Sequence, residues 1–282
     1  MNQSAIICVC GAGTMGSGVA QVCAQSGFST ILFDVNNDMI VKSRSGLNNS
    51  LQLLIQKGKI TAAEKEQIIQ RLSFTSNISD CKADIIIEAI IEQKDKKVTL
   101  FNQLAIINST TTIFATNTSS ISINEIAREI KNPSNLVGMH FFNPAPIMKL
   151  VEIIKTNETD RVVIETIKAF AKQLNKTAVL CNDSPGFIVN RVARHYYLEA
   201  MRLVEAGSVD IETIDAVMEA SGFKMGPFKL MDLIGIDINY NVSRIVWEAL
   251  DKPERLRPSI IQQQKLAANE LGRKSGKGFY QY

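Results

Sequence analysis

The chain has 282 residues and only two histidines, and one of them, His140, ends an apolar run just before a Phe-Phe-Asn-Pro turn. Twelve residues on, Glu152 sits inside a second apolar run, Leu150-Val-Glu-Ile-Ile154. An imidazole titrates near neutral pH, so it can take or give a proton under working conditions. A carboxylate on its other ring nitrogen fixes the tautomer and stabilises the imidazolium. A glutamate flanked by Leu150, Val151, Ile153 and Ile154 is costly to bury unless it is paired. The two residues therefore read as one acid–base unit. The Pro144-Ala-Pro146 turn would bring the chain back, so that Glu152 enters the strand beside His140. Taken singly, His140 also reads as a packed core histidine, and Glu152 as an edge-strand residue facing water.

A second constellation lies upstream. Residues 5–10 read as a buried strand, Gly11-Ala-Gly13-Thr-Met-Gly16 as a turn, and the following residues as a helix ended by Gly27. Thr30-Ile-Leu-Phe-Asp34 reads as the next strand. In such a unit the first glycine allows the tight turn, the second lets the backbone approach a pyrophosphate, and the third lets helix and strand pack closely. The helix N-terminus offers N–H groups and a positive dipole end to the phosphates. Asp34 is placed to accept from the adenosine ribose hydroxyls. No arginine follows it; the next residues are Val-Asn-Asn-Asp. A 2′-phosphate would meet a carboxylate without a nearby cation, which favours NAD over NADP.

These groups need a scaffold. A strand, turn, helix, strand unit requires a parallel sheet with a right-handed crossover. Residues 36–72 read as two helices joined around Gly58, the second opened by a Thr61-Ala-Ala-Glu64 capping box. Apolar runs at 84–88, 112–116, 136–140, 150–154 and 178–181 read as further strands, with helical patterns at 94–107, 122–131 and 159–174. The alternation predicts an α/β fold, a Rossmann-type doubly wound sheet with a helical hairpin insert. The character changes at Asn182-Asp183-Ser184-Pro185-Gly186, beyond which helical patterns run from 187 to 271. The expected domains are 1–182, binding the dinucleotide, and 183–282, smaller and all-α.

Composition sets limits. Hydrophobic content of 45% and charged content of 21% are those of a soluble globular protein. A net charge of +3 is too weak to argue for nucleic acid. No apolar run approaches the roughly 18 residues that span a membrane, and no signal peptide is read, so the cytoplasm is expected. The five cysteines read as reduced, buried small side chains, and no metal site is read.

The chain resembles the 3-hydroxyacyl-CoA dehydrogenases, in particular the short-chain bacterial 3-hydroxybutyryl-CoA type, over nearly its whole length. The resemblance rests on Gly11 to Gly16, Glu88-Ala-Ile-Ile-Glu92, Asn117-Thr-Ser-Ser120, His140-Phe-Phe-Asn-Pro-Ala-Pro146, Leu150-Val-Glu152, Pro185-Gly-Phe-Ile-Val-Asn-Arg191, the run from Met225 to Gly235, and Lys274-Ser-Gly-Lys-Gly-Phe-Tyr280. Tyr196-Tyr197-Leu-Glu-Ala-Met-Arg202 and the run from Phe223 to Phe228 are similar to the branch that handles 3-hydroxyadipyl-CoA, although Lys229 stands where that branch leads one to expect an acid. The resemblance implies NAD-dependent interconversion of (S)-3-hydroxyacyl-CoA and 3-oxoacyl-CoA. It implies His140 as catalytic acid/base, Glu152 as its partner, and Ser119 and Asn190 as substrate-positioning donors. Asp34, Glu92, Lys97 and Asn117 would join Gly11, Gly13, Thr14, Met15 and Gly16 around the NAD. A homodimer through the helical domain is also implied.

On residues alone, Ser119 and Asn190 read as loop or cap residues, and His195 as a structural residue on a helical face. Lys57 and Lys59, flanking Gly58, read either as a solvated turn or as contacts to the phosphates of coenzyme A. Two other readings of the whole chain stand beside the first: a dehydrogenase of free hydroxy acids, many of which use a catalytic lysine, and a crystallin-like dinucleotide-binding structural protein. The presence of both His140 and Glu152 favours the acyl-CoA enzyme.

Overall fold

The computed structural model describes residues 4–282, which fall into two compact units, one up to Asp183 and one of Ser184–Tyr282. The first runs β1 (Ile6–Cys10), α1 (Thr14–Gln25), β2 (Ser29–Phe33), α2 (Asn37–Gln56), α3 (Ala62–Gln70), β3 (Leu72–Thr75), β4 (Ile85–Glu88), α4 (Lys94–Ile107), β5 (Ile113–Thr116), α5 (Ile123–Ala127), β6 (Leu136–Phe141), β7 (Leu150–Lys155), α6 (Arg161–Gln173) and β8 (Thr177–Asn182). Its eight strands form one sheet in the order β3-β2-β1-β4-β5-β6-β7-β8. The first six are parallel, β7 runs antiparallel to β6, and β8 is parallel to β7.

The central strands β4, β5 and β6 are buried at every residue, as expected of parallel strands covered on both faces. Their unbroken apolar runs are the sequence expression of that burial. Val19, Val22 and Cys23 of α1 and Ile167 and Phe170 of α6 enter the same core, where Phe28 and Phe170 meet edge to face at 5.3 Å.

The helical hairpin forms as its caps predict. Thr61 Oγ1 accepts the Glu64 N–H at 3.2 Å, and Glu64 Oε2 accepts the Thr61 N–H at 2.6 Å. Gly58 makes the turn with φ +63°. The second helix of the hairpin ends at Gln70, short of the expected 72, and Leu72-Ser-Phe-Thr75 is a strand that local pattern does not announce. Four residues at a sheet edge carry too little periodicity to read; only the ladder to β2, Thr30 opposite Leu72 through Phe33 opposite Thr75, defines them. The helix expected over 122–131 is likewise shorter, Ile123–Ala127, with Pro133 following.

The second unit holds α7 (Val189–Glu205), α8 (Ile211–Ala220), α9 (Pro227–Ile234), α10 (Ile236–Ala249) and α11 (Ile260–Ala267), with only isolated bridges among its described residues. Its core gathers Tyr197, Met201, Phe228, Met231 and Val246. Two buried aspartates tie the C-terminal motif down. Asp232 accepts from the Phe279 and Tyr280 N–H groups, both at 2.9 Å, and Asp215 accepts from the Tyr280 hydroxyl at 2.8 Å. A Cβ on Gly278 would lie 2.1 Å from Asp232 Oδ1, so only glycine lets the strap pass. The cysteines are all reduced; four are buried, but Cys181 on the exposed strand β8 is only partly covered, unlike the expectation for all five.

Candidate active site

His140 and Glu152 face each other directly across the antiparallel ladder of β6 and β7. His140 Nδ1 lies 2.7 Å from Glu152 Oε2, and the residues are 6% and 1% exposed. β7 lies inside the sheet, between β6 and β8, which removes the edge-strand alternative for Glu152. The Phe142 ring sits 4.6 Å from the imidazole. The turn that returns the chain is clamped by Lys176, whose Nζ donates to Ala145 O at 2.6 Å and Met148 O at 2.8 Å. Asn117, expected around the cofactor, uses its Oδ1 to accept the Phe141 N–H at 2.8 Å. It thus holds the end of the strand that carries His140.

The glycine turn has the geometry that a dinucleotide needs. Gly11 has φ +107°, and a Cβ there would lie 2.4 Å from Ala89 O. A Cβ on Gly16 would lie 1.8 Å from Gly11 O, so the third glycine brings α1 onto the turn, while Gly13 has nothing within 4 Å on that side. No side chain caps α1, and its first turn, with Thr14 and Met15, carries no acid. That end is therefore suited to phosphate. Asp34 Oδ2 accepts the Ala12 N–H at 2.8 Å and Oδ1 the Asn36 N–H at 2.9 Å, which locks the carboxylate at the end of β2. A cavity of about 870 Å³, lined by Gly11, Gly13, Asp34, Ala89, Ile91 and Lys96 among others, opens at the carboxyl ends of the strands. These residues fit NAD.

Glu92 and Lys97 were expected beside the cofactor. They belong to a charge network that also contains Glu88, which sequence reading did not single out; Lys97 and Glu88 are buried and Glu92 is exposed. Lys97 Nζ lies 2.6 Å from Glu88 Oε1 and 3.1 Å from Glu92 Oε2. Glu88 also accepts from Thr116 Oγ1 at 2.7 Å and the Ile90 N–H at 2.8 Å. Glu92 Oε1 accepts from Thr118 Oγ1 at 2.5 Å, Ser120 Oγ at 2.9 Å and the Ser119 N–H at 3.1 Å. Burial pushes the Glu88 carboxyl above its ordinary range, against the pull of Lys97, Thr116 and the Ile90 N–H. Burial works the same way on Glu92, but the Lys97 charge and the hydrogen bonds from Thr118, Lys97 and Ser120 outweigh it and hold that carboxyl below its usual range.

Lys57 and Lys59 are exposed on either side of Gly58. In the second unit Asn190 is half-buried in the first turn of α7, and His195 is exposed further along it. The Asn190 carbonyl accepts from Arg194 Nε at 2.9 Å. Arg194, also not singled out from sequence, is buried and donates to Asn239 O at 2.8 Å and Ser243 Oγ at 2.9 Å. Burial pulls its guanidinium pKa down to about 10. Among the described residues no group of three or more His, Cys, Asp or Glu could hold a metal ion.

Comparison with known proteins identifies both units. The family model "3-hydroxyacyl-CoA dehydrogenase, NAD binding domain" matches residues 6–184, and that of the C-terminal domain of the same enzymes matches 186–282. The chain belongs to the 3-hydroxyacyl-CoA dehydrogenase family. It is 42% identical to the 3-hydroxyadipyl-CoA dehydrogenase of Escherichia coli, over 98% of this chain and 58% of that protein, so it spans little more than half of that relative. It is 39% identical to the human mitochondrial hydroxyacyl-coenzyme A dehydrogenase, over 98% of this chain and 90% of that one. The crystal structure of (S)-3-hydroxybutyryl-CoA dehydrogenase from Ralstonia eutropha superposes with a TM-score of 0.94 at 36% identity, covering 99% of each chain. The first unit is thus the NAD-binding domain of this family, and the relatives named here are dehydrogenases of acyl-CoA thioesters.

Proposed function

We propose that the chain interconverts short-chain (S)-3-hydroxyacyl-CoA and 3-oxoacyl-CoA with NAD, and that His140 is the acid/base oriented by Glu152. The observation that carries this is the buried contact between His140 Nδ1 and Glu152 Oε2 at 2.7 Å in a chain of this family. Oxidation of a secondary alcohol removes a hydroxyl proton and a hydride. NAD, when bound at the glycine turn, supplies the hydride acceptor. The proton passes to Nε2 of His140, because Nδ1 is committed to Glu152, and the carboxylate steadies the imidazolium that results. Ser119 and Asn190 are assigned as substrate-positioning donors. Lys57 and Lys59 are assigned to the phosphates of coenzyme A.

The name of the Escherichia coli relative brings in a second acyl group, 3-hydroxyadipyl, alongside 3-hydroxybutyryl. The same reading includes a homodimer formed through the helical unit and a cytoplasmic location. No described helix is long and apolar enough to cross a membrane. The test is a mixture of the protein, NADH and acetoacetyl-CoA, followed at the nicotinamide absorbance band. Loss of that absorbance supports the reading. Turnover of a free hydroxy acid with no turnover of the thioester would overturn it, and so would NADH binding without turnover of either. A panel of acyl-CoA substrates then ranks the hydroxybutyryl and hydroxyadipyl forms.

A further inference from the structure

Lys97 is buried to 1% exposure between two carboxylates, one of which, Glu88, is wholly buried. Two acids around one base leave a formal excess of one negative charge; Glu88 and Lys97 are dry, while the Glu92 side chain keeps 39% of its surface exposed. Such an arrangement is weak evidence of stabilisation, because desolvation of the ions offsets their attraction. The raised carboxyl of Glu88 points the same way, since the fold disfavours its charge. Stability is therefore a poor account of why Glu88 is there, and the connections it makes supply another.

Glu88 ends β4. Its two oxygens are fixed by the Ile90 N–H and by Thr116, the last residue of β5. It is anchored to the rigid sheet ends and holds Lys97 at 2.6 Å. Lys97 in turn reaches Glu92 Oε2 at 3.1 Å. The other oxygen of Glu92 accepts three donors from the loop after β5, the Thr118 and Ser120 hydroxyls and the Ser119 N–H. The loop is a polar Asn-Thr-Ser-Ser stretch with no apolar side chain of its own to seat it. Local bonds shape it, from the Ile121 N–H to Thr118 Oγ1 at 2.9 Å and from the Asn117 N–H to the Glu88 carbonyl at 2.8 Å, and the Glu92 carboxylate ties it to the ammonium that Glu88 holds.

We infer that Glu88 is a positioning residue that acts through Lys97 and Glu92 to place the Thr118–Ser120 loop, so that the cofactor-side charges and Ser119 move as one unit. The functional half of this rests on the substrate role assigned to Ser119 above; the structural half does not. If Glu88 loses its charge, Lys97 is drawn toward Glu92 and the carboxylate shifts away from the three loop donors.

The experiment uses the full chain with Glu88→Gln. The amide oxygen can still accept from Lys97 and the Ile90 N–H, and the Thr116 hydroxyl can turn to accept from the new NH₂, so most of these bonds are kept. Three quantities are measured: hydrogen exchange in a peptide covering 117–121, the melting temperature, and steady-state reduction of acetoacetyl-CoA by NADH. Exchange in that peptide should rise with the melting temperature nearly unchanged, and kcat/KM should fall about 10-fold, the scale of a modest misplacement of a substrate-orienting group. In a Ser119→Ala background the further loss from Glu88→Gln should shrink to within about twofold, since both changes remove one function.

Unchanged exchange at 117–121 overturns the inference, and so does a Glu88→Gln loss that multiplies in full with Ser119→Ala. Native kcat/KM in Ser119→Ala alone would instead remove Ser119 from substrate binding, with the exchange measurement still deciding the role of Glu88. If Glu88→Gln does not fold, Glu88→Asp keeps every charge and draws the carboxylate back from Lys97 by one carbon. It carries the same expectations in exchange and non-additivity, at smaller size.

Discussion

Changing Glu152 to Gln is the sharpest probe of the proposed chemistry, because it alters one charge and almost no volume. The His140 Nδ1 to Glu152 Oε2 distance of 2.7 Å puts the charge centres of an imidazolium and the carboxylate about 4 Å apart. At an effective dielectric of about 20, that attraction is worth about 4 kcal/mol for a full imidazolium. A transition state with the proton half transferred carries about half of it. The amide oxygen of Gln still accepts the Nδ1 proton, so ring orientation is largely kept. The expected fall in kcat therefore runs from about 30-fold to about 1,000-fold. His140→Gln should fall by roughly 10²–10⁴-fold, because it removes the proton carrier itself. The assay is steady-state kcat for oxidation of (S)-3-hydroxybutyryl-CoA by NAD, the direction in which His140 gains the proton, in both single mutants and the double, with NADH binding followed by fluorescence to show that the first unit is intact. Because the pair acts as one unit, the double mutant should be little worse than His140→Gln. A double mutant whose loss equals the product of the single losses would refute the coupled pair. A kcat within about threefold of the parent in Glu152→Gln would show that the carboxylate charge does not matter, whatever His140 does.

The other predictions reach the rest of the molecule. Gly16→Ala places a Cβ 1.8 Å from the backbone oxygen of Gly11, so NADH affinity should fall at least about 10-fold with a lower melting temperature; native NADH binding would mean that the turn tolerates a side chain. Lys57→Glu with Lys59→Glu should raise KM for acetoacetyl-CoA by about fivefold or more, the effect of roughly 1 kcal/mol per exposed cation, and leave KM for NADH unchanged; an unmoved acyl-CoA KM returns these lysines to a solvated turn. A thiol reagent should reach at most Cys181 in the native protein, and slowly, because burial and then the charges of Glu152 and Asp183 push that thiol up to about 11; rapid native reaction of more than one thiol contradicts the burial of the other four. Glu88 has a folded pKa above its unfolded value of about 4.5, so its cost to stability is absent below that pH and complete above the folded pKa. Glu88→Gln should therefore match or exceed the parent's melting temperature at pH 8, with the difference closing toward pH 4.5; a parent several degrees more stable at pH 8 reverses that sign.

Much of this protein is legible along the chain, because the features concerned are local. The glycine turn, the capping box at Thr61 and Glu64 and the buried strand runs each depend on residues within a few positions of one another. The His140–Glu152 pair belongs to the same class, since a short return turn between two strand runs leaves few places for Glu152 other than opposite His140. Tertiary structure decided the rest. β3 is a strand only because β2 offers it a ladder. Asn117 holds Phe141, twenty-four residues away, and Asp232 holds Phe279, forty-seven residues away. Glu88 and Arg194 acquire their meaning from an ammonium on α4 and from a carbonyl and a hydroxyl on α10. A buried polar side chain must find a partner, and local pattern shows that need, but which partner it finds is set by how the strands and helices are arranged in space.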